Sequence, residues 1–135
     1  MGHGSNVQGM ETTATLDLAT DEFVLHTPNI RATKLWAGGL GLFATHAIVF
    51  AKMISGENNY GVNAFMVHIR SRVDHSVFTG VKVGEMGAKM GYNTVDNGWM
   101  KFDNYRIPRT ALLSRFANID KDGAFEMVGD PRSVY

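Results

Sequence analysis

The stretch ATHAIVFAKMISGENNYGVNAFMVHIR, residues 44–70, decides how the chain is read. Its first half, residues 44–54, is nearly continuous in apolar residues, a pattern shared by a strand buried on both faces and by a short buried helix. Its shortness, its β-branched residues and the turn that follows, Gly56-Glu57-Asn58-Asn59-Tyr60-Gly61, favour the strand. The second half sets Phe65, Val67 and Ile69 on one side at a period of two, as a half-buried strand requires. The two halves read as a hairpin.

On the N-terminal side, residues 11–16 (ETTATL) and 22–26 (EFVLH) read as a second hairpin across a loop of about five residues. Thr27-Pro28-Asn29 breaks the pairing, and KLWAGGLG, residues 34–41, reads as a loop between strands. On the C-terminal side, residues 72–80 read as loop, Val81-Lys82-Val83 as a short strand and residues 84–91 (GEMGAKMG) as a glycine-rich turn. Residues 99–107 (WMKFDNYRI) alternate as one strand that Pro108 ends. Residues 111–116 could begin a helix, DKDG at 120–123 is a turn, and the last residues read as frayed. About six strands in sequential hairpins with no long helix predict an all-β domain. It would be a split antiparallel β-barrel or two packed orthogonal sheets, of six to eight short strands.

Composition narrows the function. The 135 residues suit one domain, large enough to bury roughly two-thirds of the surface the unfolded chain exposes. Thirteen basic and thirteen acidic residues cancel, so the footprint of a nucleic-acid or anionic-membrane binder is missing. No apolar run reaches the roughly 20 residues of a membrane span, and no signal-peptide pattern opens the chain. Without cysteine there is no thiolate nucleophile, disulfide framework or cysteine-based metal site. His3, His26, His46, His68 and His75 show no metal-ligand spacing, so no metal is expected, and His46, inside an apolar run, reads as a hydrogen-bonded core residue. Neither a strand–GxGxxG–helix unit nor a Gly-x-Ser-x-Gly elbow is present.

The odd feature is Trp36 beside Gly38, Gly39 and Gly41. On its own it reads as a core tryptophan next to a turn. The alternative is a surface on which something flat can lie, since glycine lets main chain approach a ligand closely.

A run of motifs in unbroken order bears on that choice. Gly2-His3-Gly4-Ser5 is followed by Gly9-Met10-Glu11-Thr12-Thr13-Ala14-Thr15, then by Lys34-x-Trp36-x-Gly38-Gly39-Leu40-Gly41 and Thr45-His46-Ala47. Gly61-x-x-Ala64-Phe65, Gly80-x-x-Val83-Gly84, Lys89-Met90-Gly91-Tyr92, Asp96-Asn97-Gly98 and Asp103-Asn104-x-Arg106-Ile107-Pro108-Arg109 complete it. The set resembles the middle domain of peroxisomal acyl-CoA oxidases, within the acyl-CoA dehydrogenase/oxidase superfamily. It spans residues 1–125, with 126–135 as a tail leading toward a missing helical domain. The resemblance implies a β-barrel between two helical domains of a homodimeric FAD enzyme of the peroxisome or a related microbody. That enzyme desaturates fatty acyl-CoA at the α,β position and passes the electrons to dioxygen, giving hydrogen peroxide. It also implies that this chain is a fragment whose catalytic base lies outside it, so no catalytic residue is expected here and the piece alone is inactive.

Residue by residue, the resemblance places Trp36 beside the flavin. It puts Gly38, with Gly39, where dehydrogenase relatives carry a Trp-Ile-Thr/Ser-Asn hydroxyl that reaches flavin N5. His3 and Ser5 fall in a loop that meets the flavin edge and the CoA arm, against the plainer reading of a frayed terminus. Asp96 and Asn97 fall near the thioester end of the CoA arm, against ordinary turn chemistry. Arg106 and Arg109 read as a solvated pair, or as facing a helical domain or a CoA phosphate. Two rivals stand beside this reading. One is a dehydrogenase that hands electrons to an electron-transfer flavoprotein, which the Trp-x-Gly-Gly loop argues against. The other is a β-barrel that binds a lipid or a partner and catalyses nothing.

Overall fold

Among the described residues the chain forms ten strands: β1 (Thr13–Asp17), β2 (Glu22–His26), β3 (Lys34–Gly38), β4 (His46–Ser55), β5 (Asn58–His68), β6 (Val81–Glu85), β7 (Asn97–Phe102), β8 (Tyr105–Pro108), β9 (Ala117–Ile119) and β10 (Phe125–Met127). The computed structural model describes residues 1–128. The strands form a five-stranded sheet in the order β5-β4-β1-β2-β8, a three-stranded sheet in the order β3-β7-β6, and a β9/β10 ribbon. The domain is all-β, of packed sheets with no closed barrel.

Both expected hairpins are present, β1/β2 from Thr13↔His26 to Asp17↔Glu22 and β4/β5 from His46↔His68 to Ser55↔Asn58. The ladders are not all antiparallel, however: β1 also runs parallel to β4, with Thr13 opposite Lys52. A parallel neighbour needs a long crossover. The chain makes one by leaving β2 for the second sheet, laying down β3 there, and returning as β4.

That excursion corrects the loop reading of KLWAGGLG, whose first five residues are β3, paired with β7. Residues 99–107 are likewise not one strand. Asn104, at φ +49°, turns a corner after Asp103, so β7 stays in the three-stranded sheet while β8 joins the five-stranded one. Residues 111–116 form no helix. A 3-10 turn at Arg109–Ala111 comes first, and Leu112 then bridges Phe65. The DKDG turn is as read, with Asp120 accepting from Asp122 N and Ala124 N. β10 crosses residue 125 and pairs with β9, and residues 129–135 of the expected tail lie outside the described residues.

The core lies inside the curl of the large sheet. Phe23 on β2 and Phe65 on β5 meet edge to face, with ring centroids 5.0 Å apart. Two strands separate them in sheet order, which in a flat sheet means roughly 14 Å. The sheet therefore coils until its ends face each other, and Met100 and Phe102 on β7, with Leu40 in the turn after β3, pack into the same core. Thr27 fastens the two sheets: its N–H donates to Phe102 O (2.9 Å) and its Oγ1 accepts from Phe102 N (2.9 Å).

β4 is not buried on both faces. Val49, Ala51 and Met53 point inward, while Ile48, 57% exposed, and Phe50 point outward. His46 belongs to the outward set. It stacks on His68 across the hairpin at 4.2 Å, with Nδ1 3.0 Å from Thr45 Oγ1, and is a surface residue rather than a core one.

Candidate functional site

The junction of β3 and β7 is irregular. Lys34 pairs with Met100 and Leu35 with Trp99, but Ala37 pairs with Gly98, so Trp36 is the extra residue of a bulge. Its φ is +79°, which costs a bulky side chain about 1–3 kcal/mol. Asn97 Nδ2 donates to Trp36 O (2.9 Å), bracing the strained peptide. Bulges re-aim side chains beside functional sites, and this one turns the indole outward, leaving Trp36 54% exposed. The core-tryptophan reading does not describe it.

Beyond the bulge the main chain is bare. A Cβ at Gly38 or Gly39 would meet nothing within 4 Å, and Gly39 sits at φ +72°. The next turn is tightly bound: Gly39 N donates to Asp96 O (2.6 Å), Gly39 O accepts from Phe43 N (3.0 Å) and Ala44 N (2.7 Å), and Leu42 N donates to Asp96 Oδ2 (2.7 Å). Gly41 and Gly98 are packed against each other: a Cβ at Gly98 would strike the backbone of Gly41, and one at Gly41 would strike Asp96.

Asp96 and Asn97 thus stand together with Trp36, Gly38 and Gly39, and their side chains bond this chain's own backbone. Asp96 Oδ1 is buried without a hydrogen-bond partner. The N-terminal loop is tied down rather than frayed, through Met1 N to Thr33 O (2.8 Å) and Gly2 N to Arg31 O (2.7 Å). His3, with Nδ1 2.9 Å from Gly4 O, lines a groove of about 380 Å³ with Leu35, Ala37, Ile48 and Phe50. Ser5 is exposed and outside that groove. Arg106 and Arg109 are committed to surface ion pairs, Arg106 with Asp17 (2.9 Å) and Glu22 (3.0 Å), and Arg109 with Asp21 (2.6 Å).

Two further residues, Lys34 of the Lys-x-Trp motif and Arg70, were given no site role by the sequence. Lys34 lines the same groove, its Nζ donating to Phe50 O (2.5 Å) and lying 3.0 Å from Met10 Sδ. Burial pulls its pKa down from 10.5 to about 8. Arg70, 3% exposed, donates through Nη1 to Leu40 O (3.0 Å) and Ala44 O (2.8 Å), and through Nη2 to Gly41 O (2.5 Å). An apolar run that ends in arginine suggests a strand end at the surface, not a buried clamp.

The family model described as the acyl-CoA dehydrogenase middle domain matches residues 1–105. The chain belongs to that family. Within it, peroxisomal acyl-coenzyme A oxidase 1 of Arabidopsis thaliana is 50% identical over 137 residues, an alignment covering 99% of this chain and 21% of the relative. The solved structure of Arabidopsis thaliana acyl-CoA oxidase 1 superposes with a TM-score of 0.94 at 48% identity, covering 98% of this chain and 21% of that one. Acyl-CoA oxidase-1 of Caenorhabditis elegans, solved in complex with FAD and ATP, gives 0.93 at 48% identity, over 96% of this chain and 20% of that one. This middle domain therefore spans about a fifth of the length of the relatives it matches.

Proposed function

We propose that this domain forms one wall of the FAD and fatty acyl-CoA site of a peroxisomal acyl-CoA oxidase that acts as a homodimer. The observation that carries the reading is the pairing of an outward indole, Trp36, with the bare main chain of Gly38 and Gly39. These residues fit an isoalloxazine, which is flat and apolar on its faces. Bound FAD would supply the hydride acceptor for the β-carbon and the route of electrons to dioxygen.

The chain's own residues bind and orient. Trp36 offers the apolar wall, and Gly38 keeps the space beside it free of any side chain, leaving room for dioxygen. His3, on the groove beside β3, and Ser5, in the same loop, meet the CoA arm. Asp96 and Asn97 act at the thioester end chiefly by fixing the turn that holds Leu42 and the bulge at Trp36. The base for the α-proton comes from another part of the full-length enzyme, so this domain alone does not turn over. Relatives near 50% identity that are named oxidases, together with glycine at position 38, support the oxidase reading over the dehydrogenase one.

Gly38→Thr in the full-length enzyme tests the role of that space. Gly38 needs no positive φ, and a Cβ there meets nothing within 4 Å, so the variant should fold. In stopped-flow, reoxidation by dioxygen should slow more than reduction by acyl-CoA. Equal slowing of both steps contradicts the proposal.

A further inference from the structure

We propose that Arg70 is the positioning residue of the flavin wall, holding the turn after Gly39 in the one shape that keeps Gly38 and Gly39 open. The inference rests on the flavin reading above. Arg70 is buried and forms no ion pair among the described residues. A buried cation without a counter-ion is expensive unless its donors are satisfied. Here the planar guanidinium fork reaches three carbonyls, Leu40 O, Gly41 O and Ala44 O, which converge on it from one turn. Its own backbone belongs to the same structure, because Arg70 N donates to Thr45 O at 3.2 Å.

Asp96 also grips the turn, through Leu42 N and Gly39 N, while Asn97 holds Trp36 O. Donors on Arg70 thus hold three carbonyls of one five-residue turn, while acceptors on Asp96 hold the amides of Gly39 and Leu42. This double hold suits a segment whose main chain must stay at a fixed distance from a ligand. A lysine at position 70 keeps the charge but not the fork, so shape and charge can be separated.

The test uses the full-length holoenzyme with Arg70→Lys and Arg70→Gln, beside Gly38→Thr as reference. Hydrogen exchange is read at the amides of Gly39, Leu42, Phe43 and Ala44, together with the FAD dissociation constant and the flavin absorption spectrum. In Arg70→Gln those amides should exchange roughly tenfold faster or more, as expected when charge-assisted hydrogen bonds are removed. FAD should bind more weakly by a similar factor with an altered spectrum, and Arg70→Lys should fall between. Unchanged exchange in both variants overturns the proposal. Faster exchange with unchanged FAD affinity and spectrum also overturns it, because Arg70 then holds the turn for the fold alone. If Arg70→Gln does not fold, Arg70→Lys gives the same readouts. A flavin that responds to Gly38→Thr but not to the Arg70 variants removes the positioning role and leaves the flavin reading standing. A flavin indifferent to Gly38→Thr removes the reading on which the proposal rests.

Discussion

Three glycines within four positions behave differently, and their surroundings say why. Gly38 and Gly39 face open space, whereas Gly41 is wedged against Asp96 and Glu85. Gly41→Ala and Gly98→Ala should each cost about 1–3 kcal/mol by overpacking, read as a lower midpoint in urea unfolding of this chain. Gly38→Ala should stay within about 0.5 kcal/mol of the parent. Similar losses at all three positions would contradict the packing described for the turn. Lys34 gives a pH test. Burial lowers its pKa from 10.5 to about 8, so between those values the unfolded chain binds the proton that the folded chain releases, and stability rises with pH. The penalty is full below about pH 8 and fades toward 10.5. Lys34→Met should abolish that rise, and parallel pH profiles for the two proteins would exclude it. At this scale the motif order made Trp36, Gly38 and Gly39 legible as a group. The strained φ of Trp36 and the three-carbonyl grip of Arg70 were not, because both arise from partners far along the chain, Asn97 in one case and residues 40–44 in the other.

Among the elements, the two hairpins could be read because period-two burial and turn residues are local signals. The β7/β8 corner could not. Alternation across Asp103-Asn104 reports which face a side chain takes but not which sheet its strand joins. The run at residues 44–54 misled in the opposite direction: its apolar residues look buried on both faces, yet Ile48 and Phe50 lie on the open side of β4. The coil of the large sheet makes its own prediction through Phe23 and Phe65, which touch only because the sheet curls. Each alanine substitution should cost about 3–5 kcal/mol. A double-mutant cycle should return a coupling of about 0.5–1.5 kcal/mol. Additive losses would mean that the rings do not meet and the sheet is flatter than described.

For the whole molecule, the outward side of the β4/β5 hairpin is the telling surface. Ile48 and Met66 sit opposite each other there, next to Phe50, all exposed. An apolar patch of this kind favours association when left uncovered. The chain by itself should sediment as larger species, and Ile48→Ser combined with Met66→Ser should shift it toward monomer. Monomeric behaviour without the substitutions would show that the patch is too small to matter. The chain by itself should also come out colourless, since only one wall of the proposed flavin site is present, and a yellow product with bound flavin would contradict that. In the complete enzyme the flavin wall is tested by the hydrogen peroxide that the full-length protein releases when loaded with FAD and given fatty acyl-CoA in air. Peroxide should appear in step with acyl-CoA consumed. Reduction of the flavin by acyl-CoA with no peroxide, and turnover only when an electron-transfer flavoprotein is added, would contradict the oxidase reading.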